Sequence, residues 1–189
     1  SRSYPRVETV DGVKVTRIAT SRFGRARLFG RLLDYLTFYA GAARRLLAVV
    51  RPGDVVVAKT DPPLISVVAG AVATSRGAIL INWIQDLFPE VAQSLGVLRN
   101  PTVGRALRRL RNASLRRAKW NVVIGMRMGE RLLAEGVPPP TVREIQNWSD
   151  GDRVCPIERE RNHLIARWDL AGRFVVGYAG NMGRAHEFA

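Results

Sequence analysis

Cysteine is almost absent. Cys155 stands alone, so no disulfide can form within the chain, and a reducing compartment suits it. Histidine is nearly as scarce. His163 and His186 are isolated, with no Cys/His/carboxylate cluster at ligand spacing, so neither a metal site nor a metal cofactor is expected. No Gly-x-Ser-x-Gly elbow, P-loop Gly-Lys-Ser/Thr or Gly-x-Gly-x-x-Gly occurs, which removes the signatures of serine hydrolases, P-loop nucleotidases and dinucleotide folds. Long apolar runs are missing too. The stretch 32–43 contains Asp34 and is bounded by Arg31 and Arg44, and 62–75 is also short of the roughly 20 residues a membrane span needs. No signal-peptide pattern opens the chain, whose first residue is Ser1 rather than methionine.

Lysine is a further scarcity: Lys14, Lys59 and Lys119 are the only ones. Yet Lys+Arg total 30 against 16 Asp+Glu, a formal net charge of +14 carried almost wholly by arginine. Such a surface attracts nucleic acid, anionic lipid or nucleotide diphosphates alike, and an arginine- and alanine-rich coding bias produces the same composition. With 47% hydrophobic and 24% charged residues in 189, the chain is an ordinary globular mix. It is long enough for one domain and a piece of another.

Asp11-Gly12 within the β-branched stretch 7–18 predicts two short strands joined by a tight turn. Leu28, Leu32, Leu36, Tyr39, Ala43 and Leu47 recur at helical spacing and predict a helix over about 26–50, which Arg51-Pro52-Gly53-Asp54 breaks. Val55-Val56-Val57-Ala58 reads as a strand buried on both faces. The pattern then alternates: helix 64–74, strand 78–84, loop 86–90, basic helix 102–117, strand 121–125, helix 128–135 and strand 142–145. That rhythm predicts an α/β fold, with a parallel sheet covered by helices on both faces. The polar segment 147–158 reads as a domain connection, 159–168 as a helix, and 174–178 as a strand that opens a second α/β domain.

Four constellations could carry chemistry. Gly177-Tyr178-Ala179-Gly180-Asn181-Met182-Gly183-Arg184 is a strand entering a glycine-containing loop, where backbone N–H groups and Arg184 could meet a diphosphate; a plain strand-to-helix turn uses the same residues. Asp86 lies in Ile84-Gln85-Asp86-Leu87-Phe88-Pro89-Glu90, at the carboxyl end of a predicted strand, where open α/β sheets bind ligands. It could orient or deprotonate a hydroxyl, or cap the helix that follows. Gln146-Asn147-Trp148-Ser149-Asp150 could meet a ligand at a domain junction or simply form a hinge. Finally, Arg99, Arg105, Arg108, Arg109, Arg111, Arg116, Arg117 and Lys119 have no acidic residue among them, while Val103, Leu107 and Leu110 mark an inward stripe. Such a helix suits anionic headgroups or nucleic-acid phosphates, or presents a solvated face.

Four segments, taken in order, resemble the family 4 glycosyltransferases of bacterial surface-polysaccharide synthesis, in the branch similar to the colanic acid enzymes. They are Thr60-Asp61-Pro62-Pro63 with the strand before it, Trp83 through Glu90, Ile145 through Asp150, and Phe174 through Arg184. The resemblance implies a GT-B fold of two Rossmann-like domains, a nucleotide-sugar donor, retention of anomeric configuration, and no metal or other cofactor. By position it implies that Gly180, Asn181, Gly183 and Arg184 meet the donor diphosphate and that Asn147 and Asp150 form the Asn-x-x-Asp of the domain junction. Asp86 then lies where the acceptor hydroxyl approaches the anomeric carbon, with Gln85 in place of the histidine many relatives carry.

On this reading 1–150 is an acceptor-side Rossmann-like domain incomplete at its start, 151–172 a connection and helix, and 173–189 the first strand and loop of a truncated donor-binding domain. The family's opening glycine-rich loop and its paired glutamates would lie outside 1–189, so the chain alone is expected to be inactive. The implied partners are a nucleotide sugar and a lipid-linked or glycan acceptor, with no nucleic acid. Arg105, Arg108, Arg109 and Arg116 become the membrane-facing surface of a cytoplasmic protein peripheral to the inner membrane. Two other readings remain open: a basic membrane-surface or nucleic-acid binding module without catalysis, and another GT-B enzyme such as a sugar-nucleotide epimerase.

Overall fold

The computed structural model describes residues 4–23 and 28–180. Its contacts divide the chain into two units, Ser1–Ile145 and Gln146–Ala189. The first opens with a hairpin of β1 (Val7–Val10) and β2 (Val13–Thr16), paired antiparallel with Val10 opposite Val13. Asp11 and Gly12 both have positive φ, the tight turn that Asp-Gly favours. Helix α1 (Leu28–Val49) follows, and Ile18 packs so closely on Gly41 that a Cβ there would lie 2.4 Å from its Cγ2. Then come β3 (Val55–Lys59), α2 (Ile65–Arg76), β4 (Ile79–Ile84), α3 (Glu90–Ser94), α4 (Pro101–Arg117), β5 (Trp120–Val123), α5 (Met126–Ala134) and β6 (Val142–Glu144). Asn100 caps α4 by accepting from the N–H groups of Thr102 and Val103, and Pro101 occupies the first turn.

The main sheet is parallel, in the order β3-β4-β5-β6. This is the α/β, Rossmann-like arrangement that the alternation predicts. Its coverage differs from expectation. Each crossover steps the same way along the sheet, and right-handed crossovers that never reverse direction place their helices on one face. Val56 and Ala58 of β3 and Leu80 of β4 pack with Ala69 and Ala73 of α2 and with Leu46 and Val50. Ile84, Val123, Leu115 and Leu132 form the neighbouring cluster. On the opposite face Val55, Val57, Ile79 and Trp120 are 40–56% exposed. The strands thus alternate buried and exposed positions and are not buried on both sides.

Helix α1 is another correction. Ala42 is buried, and Leu46 packs on the core, whereas Leu32, Leu36 and Leu47 face outward. The helix is apolar on nearly every side, so periodicity alone could not choose its face. Register between β4 and β5 is fixed by two fully buried side chains. Asn82 Nδ2 donates to Asn121 Oδ1 at 2.9 Å, and Asn121 Nδ2 donates to the Leu115 carbonyl at the end of α4.

In the second unit, 159–168 is not one helix. A 3-10 turn (Arg159–Arg161) gives way to α6 (His163–Arg167), because the Asn162 side chain accepts from Leu164 N–H and starts a new helix. The Arg159 guanidinium donates to the Leu170 and Arg173 carbonyls. The expected strand 174–178 has no ladder partner among the described residues, and Phe174 and Val176 are almost fully exposed. A strand forms only where another strand accepts its hydrogen bonds.

The two sides of β3 make a direct test. Val56→Ala should cost roughly 2 kcal/mol, from lost burial and a cavity. Val57→Thr, one residue along on the open face, should change stability by less than about 0.5 kcal/mol in urea unfolding.

Candidate active site

Parallel strands bring their carboxyl ends to one edge, and β3 and β4 are tied together there. The Thr60 N–H donates to the Trp83 carbonyl at 3.1 Å, and the Gln85 N–H donates to Thr60 Oγ1 at 3.0 Å. The loop after β4 carries Asp86 and the loop after β3 carries Asp61, so two exposed carboxylates stand on neighbouring strand ends. Neither has a hydrogen bond or ion pair to another described residue. Asp86 does not cap α3, whose cap position is Pro89. It lines a cavity of about 20 Å³ with Thr60, Leu64, Ser66, Phe88 and Arg111.

Arg111 supports that cavity from within. The sequence reading places it among the basic residues of α4, but it is 7% exposed and turned inward. It holds Glu90 with both terminal nitrogens (2.8 and 3.1 Å), pairs with Glu135, and reaches the Phe88 carbonyl at 3.4 Å. Burial pushes the Glu135 carboxyl up. The Asn112 amide and the Arg111 guanidinium, with a hydrogen bond to Glu90, outweigh this and leave it below the ordinary glutamate range. A guanidinium fork matched to two carboxylates satisfies its buried charge, and so fixes the 85–90 loop to α4 and α5.

The 60–64 loop is also restrained. Leu64 adopts φ +65, uncommon for a residue with a bulky side chain, and the Tyr39 hydroxyl of α1 donates to the Pro63 carbonyl. Burial, then Tyr35 and Asp61, push the Tyr39 hydroxyl up to about 12.

Other predicted site residues are distributed as follows. On α4, Arg105, Arg109 and Arg116 are exposed, while Arg108 turns to Glu90 at 3.1 Å and to Gln93 at 3.2 Å and so leaves the open row. Val103 and Leu110 are not an inward stripe: they are 44% and 45% exposed, and the buried side is Gly104, Arg111, Ser114 and Leu115. The buried guanidinium displaced the apolar pattern, because its acidic partners lie on other elements. In the second unit Asn147 is exposed. Asp150 Oδ1 accepts from the N–H groups of Asp152 and Arg153, a turn-forming role. Gly180 is exposed beside the Tyr178 ring. Asn181, Gly183 and Arg184 lie outside the described residues.

Thr60, Asp61 and Arg111 are the site residues that the sequence reading did not assign. In the sequence, Thr60 and Asp61 stand out only as part of the Thr60-Asp61-Pro62-Pro63 segment that carries the family resemblance. The strand-end rule that selected Asp86 applies equally to Asp61, because it too follows a β-branched run.

Tyr39 provides a pH test. A folded pKa above the unfolded one means that the protonated hydroxyl is favoured by folding, so this contribution is full below about 10 and declines between 10 and 12. Alkaline titration at the phenolate absorbance band should show a late-ionising tyrosine that disappears in Tyr39→Phe. The variant's stability should also fall less steeply over that alkaline range.

No protein-family model matches the chain, and no solved structure matches it significantly. Among curated proteins it is 33% identical over 142 residues to WbjE of Pseudomonas aeruginosa, named a probable glycosyltransferase. The match covers 74% of this chain and 35% of that protein, so the chain spans about a third of the relative's length. Together with the Rossmann-like parallel sheet, this likeness supports a glycosyltransferase family for the chain.

Proposed function

We propose that the chain is the acceptor-side domain, with the first strand and loop of the donor-side domain, of a GT-B-type, family 4 glycosyltransferase. It would move a hexosyl unit, with retention, from a nucleotide sugar to a glycan acceptor in cell-surface polysaccharide synthesis. The observation that carries this reading is the 142-residue likeness to a probable glycosyltransferase. The exposed carboxylates at the carboxyl edge of the sheet support it, since that edge is where open α/β sheets hold ligands.

In this reading the acceptor hydroxyl meets Asp86, which orients it and draws on its proton as the oxygen approaches the anomeric carbon. The bond from that carbon to the diphosphate breaks, and its electron pair leaves with the phosphate oxygen. Arg184 and the loop N–H groups at Gly180, Asn181 and Gly183 are the groups suited to stabilise that charge. Asn147 and Asp150 are assigned to the donor side. No step needs a metal.

Transfer of labelled sugar from a panel of nucleotide sugars, measured with the whole gene product, tests the reading. Asp86→Asn should lower kcat by about 10²–10⁴, the usual range for a positioned acid–base group. Unchanged turnover would remove Asp86 from its role, and no transfer from any donor would remove the function.

The acceptor in this reading is lipid-linked and the protein works on an anionic membrane surface. Among the described residues no helix is long and apolar enough to cross a membrane. The outward side of α4 supports surface attachment instead: Arg105, Arg109 and Arg116 are exposed and fall in one row along the helix, a basic stripe opposite the buried side. Changing those three arginines to alanine should weaken binding to phosphatidylglycerol vesicles by roughly 3 kcal/mol, about 1 per arginine. Equal binding of both forms in a sedimentation assay would sink the surface assignment.

A further inference from the structure

Asp86 carries the chemistry in the proposed reaction, yet no side chain holds its carboxylate. It is exposed and has no hydrogen bond or ion pair to another described residue. Its place is therefore set by the backbone on either side of it. On one side the Gln85 N–H is tied to Thr60 Oγ1 at 3.0 Å. On the other, Arg111 grips the Phe88 carbonyl and the Glu90 carboxylate. We propose that Arg111, with Glu135 behind it, is the positioning pair for Asp86, so that a carboxylate at the end of α5 governs the rate of transfer through the 85–90 loop. The effect on turnover rests on the glycosyl-transfer reading; the grip on the loop does not.

The grip is full. A guanidinium has five N–H donors in one plane, and Arg111 uses every one. Its Nε donates to Asn112 Oδ1 at 2.9 Å. One terminal nitrogen donates to Glu90 at 2.8 Å and to the Phe88 carbonyl at 3.4 Å, and the other to Glu90 at 3.1 Å and to Glu135. Asn112 Nδ2 donates to the same Glu135 oxygen at 3.1 Å. Glu135 and Asn112 thus hold the guanidinium plane from the α5 side, and that plane dictates where Glu90 and Phe88 lie. Charges alternate along Arg108, Glu90, Arg111, Glu135 and Arg131, so a cation stands between the two carboxylates.

Glu135 does not line the cavity beside Asp86, whereas Arg111 does. The route from Glu135 to Asp86 therefore runs through the guanidinium. Apolar packing also holds the loop, since Leu87 lies on the Ile84 cluster and Pro89 is fully buried. Such contacts are non-directional and tolerate small shifts that a filled hydrogen-bond fork does not. Buried ion networks also add little net stability compared with apolar side chains of the same size. Placement of the loop is then the contribution that only this network makes, and a reacting group displaced by about 1 Å loses on the order of 100-fold in rate.

Three forms make the test. Arg111→Lys keeps the charge and loses the fork. Glu135→Gln keeps the shape and loses the charge. Arg111→Met with Glu90→Gln and Glu135→Gln removes the buried charges together and should therefore keep the fold. Hydrogen exchange on this chain follows the amides of Gln85, Val91 and Gln93, whose bonds tie the loop down. They should open about 10-fold faster or more in Arg111→Lys and in the triple form, the effect of losing one hydrogen bond to a charged group, with the amides of β3 and β5 unmoved. In the whole gene product, kcat should fall about 10- to 100-fold in each form while the KM for the nucleotide sugar holds. The loss should vanish in an Asp86→Asn background, because a residue that acts through Asp86 has no effect once it is gone. Unmoved exchange in Arg111→Lys overturns the proposal, and the triple form makes the same comparison if that variant does not fold. Unchanged kcat in all three forms overturns it too, as does a loss that multiplies with that of Asp86→Asn, the mark of a general structural effect. Transfer from no nucleotide sugar removes the transferase reading, and exchange then decides the grip alone.

Discussion

The strand order β3-β4-β5-β6 never reverses, and much of the first unit follows from that. Three crossovers in one direction, each right-handed, stack α2, α4 and α5 on a single face. The core therefore gathers on that side: Val56, Ala58, Leu80, Ile84 and Val123 all project into it. The same parallel order aligns every carboxyl end at one edge, so the loops that leave β3 and β4 emerge side by side. Thr60 then needs only its own N–H and hydroxyl to join them. Asp61 and Asp86 are neighbours because of topology, although 25 positions separate them in sequence.

Rigidity at this edge has two sources, and both are polar. Arg111 is a charge taken out of water, which is costly unless several oxygens receive it. Glu90, Glu135 and the Phe88 carbonyl do so, and they come from two different segments, the 85–90 loop and the end of α5. The arrangement contributes geometry more than net stability: it specifies where the 85–90 loop must lie against α4 and α5. Tyr39 has the corresponding role for the 60–64 loop. A hydroxyl raised to about 12 stays a donor throughout the ordinary pH range, so its bond to the Pro63 carbonyl persists there.

The elements that were legible in the sequence are those set by local chemistry. Asp11-Gly12 marks its turn, Arg51-Pro52-Gly53-Asp54 the end of the first helix, and Val55-Val56-Val57-Ala58 the first strand of the main sheet. What could not be read is whatever depends on partners distant in the chain. Val57 looks as buried as Val56 because both are valine in one run, and only the strand order exposes one of them. Arg111 looks like its neighbour Arg109, yet Glu90 and Glu135 draw it inward while Arg109 meets solvent. Phe174 through Tyr178 has strand composition but no strand beside it among the described residues. At the candidate site, Asp86 was legible from the strand-end rule, whereas the grip of Arg111 on its loop needed Glu90 and Glu135 to be placed in space.

Charge is segregated in this unit, and the segregation bears on how a sugar could be transferred. The net charge of +14 would draw phosphate to the surface in general. Yet α4 presents its exposed arginines on its outer side, while Asp61 and Asp86 stand exposed on the loops at the carboxyl edge of β3 and β4, where β3 itself ends in Lys59. A nucleotide sugar brings a hexose and a diphosphate with opposite requirements. Carboxylates suit the hydroxyls of a sugar and the proton that an attacking oxygen must lose, and they repel the diphosphate. In the proposed reaction the diphosphate therefore belongs to groups outside this edge, with Arg184 the residue whose chemistry fits.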